Sequence, residues 1–416
     1  MTAVVLRGDA RALPLPDASV DLLVTSPPYF GLRSYTDGGE HYSGQIGSEA
    51  TPTEWLAAMV ECTAEWMRVL KPSGSIFVNL GDKYNSAASG QKGSTSVYNG
   101  SDPETNKWAN DYRIKQRGNV VPGFAPKSLM GLPWRYAIAC TDQLGLILRR
   151  DIIWSKPNGL PESVTDRCRS SHEYVFHLVK QPRYYAAIDE IREASSTAAT
   201  DKRSDPSRHA AMLGTSYHDH VGDAERGNRA PLKAFNPLGK LPGSVWDIPS
   251  QPLTVPPELG IDHFAAFPME LPRRIILGWS PPGICVACGE GRRPVVTAER
   301  IGNGRLWGRG GRGPVDTITQ RRHEERTERQ HTGYACACPE PTAPTRPALV
   351  VDPFGGTGTT SLVAAMHGRH GVSVDMSADY CRLAAWRTTD PAERAKALGV
   401  AKPPPIPDGM EPLFSM

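Results

Sequence analysis

The chain has no apolar run of membrane-spanning length, no large charge of one sign and no secretory leader pattern. None of its apolar runs approaches the roughly 20 residues that a transmembrane helix needs. Its net charge of +3 is too small to indicate nucleic-acid binding by itself. No basic segment followed by an apolar one stands at the N-terminus, so an intracellular, cytoplasmic protein is expected.

The eight cysteines do not form the pattern of a disulfide framework. Four of them are scattered and are predicted to be small buried apolar residues: Cys62, Cys140, Cys168 and Cys381. The other four form two tight pairs: Cys285 with Cys288, and Cys336 with Cys338. Four thiolates match a closed tetrahedral zinc site that supports folding, while a redox pair or four independent thiols remain alternatives.

Short apolar runs alternate with segments of helical periodicity. This alternation predicts an α/β fold with a mostly parallel sheet and helices on both faces. Strands are expected at 3–7, 21–25, 75–80, 147–154, 172–180, 349–352 and 371–374. Helices are expected at 53–70, 127–144, 268–279, 359–366 and 378–386, followed by an irregular tail after Asp390.

Two loops near opposite ends of the chain carry the functional signal. Thr25-Ser26-Pro27-Pro28-Tyr29 follows the strand at 21–25, and the segment from Asp352 to Gly358 follows the strand at 349–352. Open α/β sheets bind ligands beyond the carboxyl ends of their strands. If the two strands are central neighbours, both loops flank one crevice despite their distance along the chain.

The second loop, Asp352-Pro353-Phe354-Gly355-Gly356-Thr357-Gly358, permits a tight turn and close approach to a ligand. A phosphate-binding P-loop would need Lys and then Ser or Thr after the last glycine, where Thr359-Thr360 stands instead. A dinucleotide loop would need a third glycine at Ser361. S-adenosylmethionine remains as the candidate ligand. The alternative interpretation is that the glycines only allow the helix to pack on the strand.

Together the two loops resemble those of site-specific DNA amino-methyltransferases of the beta group, the S-adenosylmethionine-dependent N4-cytosine and N6-adenine enzymes. In that circularly permuted order, the catalytic Ser/Asp-Pro-Pro-Tyr loop precedes the Phe-x-Gly-x-Gly cofactor loop. Other segments extend the resemblance over most of residues 3–388, among them 8–9, 15–21, 68–74, 151–158, 171–176, 244–246 and 263–268. The resemblance implies a Rossmann-like methyltransferase domain interrupted by polar insertions and a four-cysteine insertion.

The resemblance also implies roles for individual residues. The catalytic residues are expected to be Ser26, Pro27, Pro28 and Tyr29. The cofactor-binding residues are expected to be Asp9, His263, Asp352, Phe354, Gly355, Gly356, Thr357, Gly358 and Asp375. Asp9 is expected near the adenine and Asp375 near the ribose, while an ordinary loop histidine is the alternative for His263.

The chemistry of an exocyclic amino group explains the catalytic motif. Its lone pair is delocalised into the ring, and acceptors for both amino hydrogens favour a localised lone pair. Ser26 Oγ and the Pro27 carbonyl are the expected acceptors, and Tyr29 is expected to stack on the base. Ser at this position goes mostly with cytosine N4 in the family, so N4-methylcytosine is expected, with adenine N6 as the alternative.

The sequence divides into a catalytic half (1–193) with a polar insert (83–126), a target-recognition candidate (194–245) and a cofactor-side segment (246–282). After these come the four-cysteine, arginine-rich insertion (283–345), the cofactor-binding half (346–390) and the tail (391–416). Seven arginines of the insertion, Arg305, Arg309, Arg312, Arg321, Arg322, Arg326 and Arg329, either contact DNA phosphates or form a solvated loop.

Double-stranded DNA is therefore the expected partner, and its target nucleotide must be flipped out of the helix. A prokaryotic or phage origin is expected, and a cognate restriction endonuclease is left open. A catalytically inactive zinc-containing DNA-binding protein is the alternative from a different class. That alternative requires damage in one of the two loops, and the sequence shows none.

Overall fold

The computed structural model describes residues 2–31, 36–37, 40–41, 44–85, 121–159, 161–194, 238–261, 266–301, 326–340 and 342–401. Within those ranges, no helix combines the length and the apolar character that crossing a bilayer demands. The chain divides into two compact units. The first comprises residues 1–187, 243–292 and 336–416, and the second comprises residues 188–242 and 293–335.

The first unit is built on an eight-stranded sheet. Its strands, numbered along the chain, are β1 (Ala3–Arg7), β2 (Val20–Thr25), β5 (Leu70–Leu80), β6 (Ile147–Ser155), β7 (His172–Val179), β8 (Val245–Asp247), β13 (Leu349–Asp352) and β14 (His370–Asp375). Their spatial order is β1-β14-β13-β2-β5-β7-β6-β8. All neighbours are parallel except β7, which runs antiparallel to β5 and β6. The expected mostly parallel sheet is confirmed.

Six α-helices are described, together with short two-stranded pairings. The helices are α1 (Pro52–Val69), α2 (Leu132–Leu144), α3 (Glu270–Trp279), α4 (Thr359–Met366), α5 (Ala378–Thr389) and α6 (Pro391–Leu398). The short strands of the first unit are β3 (Thr36–Asp37), β4 (Glu40–His41), β9 (Ile284–Cys285) and β12 (Thr345–Arg346). Every residue of β2 is buried, which requires cover on both faces of the sheet at this strand.

Local sequence explains where α1 begins and why it packs. Thr51 accepts a hydrogen bond from the Glu54 backbone, and the Glu54 side chain accepts one from the Thr51 backbone, forming a capping box. Trp55, Met59 and Trp66 follow at helical spacing and are at most 1% exposed. This apolar stripe joins the main core cluster with the buried residues of β2 and β5.

Several boundaries differ from the sequence prediction, and three of the differences are large. Helix α2 begins at Leu132 rather than 127 because Lys127 and Gly131 have positive φ and the Asp82 carboxylate caps the Gly131 and Leu132 N–H groups. Strand β5 already begins at Leu70. The tail after Asp390 was expected to be irregular, but Pro391–Leu398 forms α6, since Asp390 caps it and proline suits a first helical turn.

The scattered cysteines differ in burial. Cys62 and Cys140 are buried as predicted, and burial raises the pKa of each thiol to about 12. Cys168 is exposed and Cys381 is partly exposed, so the prediction is wrong for these two. Both lie outside the main core cluster.

The second unit contains an antiparallel hairpin of β10 (Arg293–Ile301) and β11 (Arg326–Ala335). Glu190 accepts a hydrogen bond from Tyr334 and pairs with His331 of this hairpin. The larger parts of three expected regions lie outside the described residues: 86–120 of the polar insert, 195–237 of the target-recognition candidate and 302–325 of the arginine-rich loop.

Candidate active site

The two loops do lie together. Strands β13 and β2 are direct parallel neighbours, pairing Val350 with Leu22 and Val351 with Leu23, so their carboxyl ends lie side by side. A cavity of about 870 Å³ opens at this end of the sheet and is lined by residues of both loops. The expectation of one shared crevice is confirmed.

The first loop, Ser26 to Tyr29, which we call the catalytic loop, is held in place by contacts with Trp55 and Gly47. Trp55 Nε1 donates a hydrogen bond of 3.1 Å to the Pro28 carbonyl oxygen. Gly47 lies so close that an added Cβ would stand 3.0 Å from Pro28 Cβ and from the Tyr29 carbonyl oxygen. Two prolines further restrict the loop backbone. Ser26, Pro27, Pro28 and Tyr29 all line the cavity.

A polar network joins the catalytic loop to the antiparallel part of the sheet. The Tyr29 hydroxyl donates to Glu173 Oε2 at 2.7 Å, and Ser26 Oγ lies 3.3 Å from that hydroxyl. Asn79 Nδ2 donates to Glu173 Oε2 at 2.7 Å and to the Tyr29 hydroxyl oxygen at 2.9 Å. Because a carboxylate only accepts, its contact with Glu173 fixes which end of the Asn79 amide carries hydrogens.

Lys156 supplies the positive charge in this network. Its ammonium group donates to the other Glu173 oxygen and stands 4.2 Å from the centre of the Trp154 ring. The Trp154 indole is itself anchored by donating to the Ile248 carbonyl oxygen at 2.8 Å. Lys156, Glu173, Asn79 and Trp154 all line the cavity.

The second loop, Asp352 to Gly358, which we call the cofactor loop, is held mainly by hydrogen bonds to residues close to it in sequence. Gly358 N–H donates to the Gly355 carbonyl oxygen at 2.8 Å, which closes the turn. The Gly356 N–H donates to Asp375 Oδ2 at 2.8 Å, and the Ser377 N–H donates to Asp375 Oδ1 at 2.9 Å. These two bonds hold the Asp375 carboxylate at the wall of the cavity.

Asp352 stands at the base of this loop and is 1% exposed. Burial raises its pKa to about 7, while Thr360 and the Phe354 N–H oppose that rise by donating hydrogen bonds. Thr360 Oγ1 lies 2.8 Å from Asp352 Oδ2 and also 3.3 Å from the Val24 carbonyl oxygen of β2. Asp352 and Thr360 therefore tie the cofactor loop to the strand that carries the catalytic loop.

Asp9 follows β1 and lines the cavity. The neighbouring Arg11 guanidinium donates to both carboxylate oxygens, at 2.7 Å from Nη2 to Oδ2 and 3.0 Å from Nε to Oδ1. These bonds lower the pKa of Asp9 below its ordinary value and raise that of Arg11. Asp9 is therefore an ionised acceptor at neutral pH.

Arg387 of α5 supports the cofactor loop from behind. Its Nη1 donates to Thr357 Oγ1 and Thr359 Oγ1, each at 2.7 Å, and its Nε donates to Glu393 at 2.8 Å. The Arg387 side chain is only 3% exposed, so this ion pair is buried. Desolvation lowers the Arg387 pKa, and the Glu393 carboxylate opposes that effect.

Most predicted cofactor residues line the cavity: Asp9, Asp352, Phe354, Gly355, Gly356, Thr357 and Asp375. Gly358 does not line the cavity. An added Cβ there would stand 2.9 Å from Ala384 Cβ of α5, and its φ of +74° also favours glycine. This glycine serves the packing of α4 on α5. His263 lies outside the described residues, and Ala266 and Phe267 beyond it line the cavity. The four clustered cysteines lie away from the cavity lining.

The sequence matches the N6/N4 methyltransferase family, described as DNA methylase, over residues 20–287 and 345–385. The chain belongs to this DNA methylase family.

Two bacterial proteins and one solved structure are similar to this methyltransferase. The Type II methyltransferase M.SmaI of Serratia marcescens is 34% identical over 300 residues, which are 71% of this chain and 82% of that protein. The Type II methyltransferase M.Cfr9I of Citrobacter freundii is 32% identical over 283 residues, 68% of this chain and 74% of that protein. The PvuII DNA methyltransferase (cytosine-N4-specific) is 18% identical, with 95% of this chain and 89% of that chain covered and a TM-score of 0.48.

The cofactor of this methyltransferase is S-adenosylmethionine, and the cavity suits it chemically. Two carboxylates, Asp9 and Asp375, line the cavity at the ends of the adjacent parallel strands β1 and β14, where they could accept hydrogen bonds from ribose hydroxyls and adenine N–H groups. Phe354 and Tyr380 supply aromatic surface, and no P-loop lysine follows the glycines, in keeping with a ligand without phosphate. Bound there, the cofactor supplies an electrophilic methyl carbon on a sulfonium.

Sequence reasoning assigned no role to Asn79, Lys156 or Glu173 of this methyltransferase. Glu173 and Lys156 belong to segments that match the family, which was a signal, but nothing local to either residue indicated a partner. Arg387 was also missed, since a lone arginine in a helix is usually a solvated one.

Proposed function

We propose that this DNA methyltransferase transfers a methyl group to the exocyclic N4 of cytosine in duplex DNA. The observation that carries the proposal is Ser26 Oγ, a neutral hydroxyl on the cavity wall whose surroundings make it a hydrogen-bond acceptor. The relation of Ser at this motif position to cytosine N4, which comes from the family, supports the choice of base.

The hydrogen bonds around Ser26 determine which way its own proton points. Tyr29 has one hydroxyl hydrogen and donates it to Glu173, so its oxygen accepts from Ser26. The two hydrogens of Asn79 Nδ2 are used by Glu173 and the Tyr29 oxygen, so its 3.3 Å approach to Ser26 Oγ does not occupy the lone pairs of that hydroxyl. Ser26 Oγ is therefore left to accept a hydrogen from a substrate amino group, which favours a localised lone pair on that nitrogen.

The same chain of groups offers a route for the proton that methylation releases. The amino nitrogen forms the new N–C bond, the electron pair of the broken C–S bond stays on sulfur, and the nitrogen then loses one proton. Ser26, Tyr29 and Glu173 form a continuous hydrogen-bonded path from the cavity to a carboxylate. Positioning and this electrostatic arrangement supply the rate enhancement.

Lys156 favours cytosine over adenine as the base. Both bases present an amino donor and a ring-nitrogen acceptor on the Watson–Crick edge, but cytosine adds the O2 acceptor where adenine has a C–H group. Lys156 adds a cationic donor to a cavity wall that otherwise carries the acceptors Ser26 and Glu173. One ammonium hydrogen of Lys156 is used by Glu173, and a further one can be satisfied by cytosine O2 but not by the C–H group of adenine.

The target nucleotide must leave the duplex, because its amino group is base-paired within the helix. Flipping costs a few kcal/mol of unpairing and unstacking, which contacts in the cavity must offset. We further infer a cytoplasmic enzyme of a restriction–modification system with a cognate endonuclease. The support for that inference is the printed designation of M.SmaI and M.Cfr9I as Type II methyltransferases.

The test is transfer of a tritiated methyl group to duplex DNA, single-stranded DNA, RNA and protein, followed by mass spectrometry of the digested nucleosides. N4-methylcytosine in duplex DNA is the expected product. N6-methyladenine would overturn the choice of base, and no transfer to any acceptor would favour the inactive DNA-binding protein. Ser26→Ala should abolish the product, whereas Ser19→Ala, at a partly buried serine just before β2 that does not line the cavity, should not. Long-read sequencing of DNA from expressing cells then gives the recognition sequence.

A further inference from the structure

The four clustered cysteines occupy one small volume of the first unit. The sulfur atoms of Cys285, Cys288, Cys336 and Cys338 all lie within 4.8 Å of one another. Tetrahedral zinc with Zn–S bonds of about 2.3 Å requires sulfurs about 3.8 Å apart, so the cluster needs only a small contraction to bind the ion. Four soft thiolates also leave no coordination position for water.

The first pair lies in a tight turn shaped for metal binding. Cys285 ends β9, and the Gly289 N–H donates to its carbonyl oxygen at 2.9 Å, with Gly289 at a φ of +75°. The Cys285 N–H also donates to the Glu290 carbonyl oxygen at 2.9 Å, so two backbone hydrogen bonds close the turn. A closed turn holds Cys285 and Cys288 at the short spacing that two ligands of one ion need.

The second pair comes from a distant part of the chain. Cys336 directly follows β11, and the chain then continues through Cys338 to β12, which pairs with β9 at Thr345 and Cys285. The cluster therefore joins the two points at which the first unit is interrupted, after Arg292 and before Cys336. Only Cys285 of the four is fully buried and Cys288 is exposed, so an ion can reach the cluster from solvent.

We propose that Cys285, Cys288, Cys336 and Cys338 bind one structural Zn²⁺ ion that fastens together the two ends of the 293–335 excursion within the first unit. The site is separate from methyl transfer, since none of the four cysteines lines the catalytic cavity. Zinc is favoured over other divalent ions because the ligands are thiolates only and tetrahedral geometry is accessible. Binding the ion crosslinks residues about fifty positions apart and so stabilises the fold.

Metal analysis of the full-length protein, purified in metal-free buffer, is the first test. We expect about one zinc per chain. A mercurial reagent should release this zinc as it reacts with the four thiols of the cluster. Cobalt substitution should give thiolate-to-cobalt charge-transfer bands and the d–d bands of tetrahedral Co²⁺. Metal-free protein that is fully folded would overturn the proposal, as would disulfide bonds within the cluster, detected by intact mass.

Serine substitutions test which cysteines bind the zinc. Cys288→Ser and Cys338→Ser should each reduce the retained zinc from about one per chain to near zero after dialysis against chelator. Cys168→Ser, at an exposed cysteine outside the cluster, is the matched control and should keep its zinc. Equal zinc in all three variants would overturn the assignment. If a cluster variant does not fold, the chelator-induced drop in melting temperature of the unaltered protein decides the question.

Discussion

The catalytic loop and the cofactor loop end neighbouring strands but are held in place by different parts of the chain. Tyr29 is bonded to Asn79 and Glu173, which lie 50 and 144 residues away in sequence. Gly356 is bonded to Asp375, 19 residues away, and Thr357 to Arg387, 30 residues away. The cofactor loop is thus held mainly by one continuous segment, with one contact from Thr360 to Val24 of β2, whereas the catalytic loop is held by residues of β5 and β7.

This difference predicts that cofactor binding and methyl transfer can be disabled by separate substitutions. Loss of Glu173 should disturb Ser26 and Tyr29 without altering the contacts of the glycine loop. Loss of Asp375 should weaken the glycine loop without altering the hydrogen bonds of Ser26. The four substitutions below test this separation, from the largest expected effect to the smallest.

Arg387→Met should produce the largest effect, a loss of about 3 to 5 kcal/mol in the free energy of unfolding. The substitution leaves the largely buried Glu393 with only the longer 3.6 Å contact to Lys396 and removes the donor to Thr357 and Thr359. Urea unfolding measures the loss. Arg382→Met, on the same helix but with a side chain 62% exposed, should change stability by less than about 0.5 kcal/mol. Equal stability of the two variants would contradict the role of Arg387.

Glu173→Gln should lower kcat by roughly 100-fold, because the end of the Ser26–Tyr29 hydrogen-bond path no longer carries a charge. The dissociation constant for S-adenosylmethionine, measured by calorimetry, should stay unchanged. Glu258→Gln, in a loop away from the cavity lining, is the control. A parallel loss of cofactor affinity in Glu173→Gln would show that the two loops are not independently held.

Asp375→Asn should weaken S-adenosylmethionine binding about 10-fold, the cost expected for one hydrogen bond to a charged group. At saturating cofactor, kcat should remain near that of the unaltered enzyme, since the Ser26 contacts are intact. Asp379→Asn, in the first turn of α5 and outside the cavity lining, should bind the cofactor normally. A fall in kcat with unchanged affinity would remove Asp375 from the cofactor site.

Asp9→Asn should have the smallest effect on stability, below about 1 kcal/mol, because the Asp9–Arg11 pair is partly exposed. Arg11 lowers the Asp9 pKa below the ordinary value of 3.8, so the pair stabilises the folded state above about pH 4. The difference in unfolding free energy between the two proteins should therefore vanish as the pH falls below about 4. A difference that grew under acid conditions would contradict this sign.

The extent to which the sequence predicted the site follows the same division. The glycine loop, Asp352 and Asp375 were found because their contacts lie within a short segment with a recognisable strand–loop–helix pattern. Ser26 and Tyr29 were found as a motif, yet the residues that orient them were not. Asn79 and Glu173 become neighbours only because β5 pairs with β7 so that Asn79 faces Val175, two residues from Glu173.

The sequence by itself determined the two loops, the chain order of their strands and the pairs of cysteines, since each of these is written in consecutive residues. Only the tertiary structure decided that β13 lies beside β2, that Glu173 and Lys156 reach the catalytic loop and that the four sulfurs meet. Strand order and register arise from the packing of the whole sheet, and a one-residue shift of β7 would turn Glu173 to the other face. Local propensities do not contain that information.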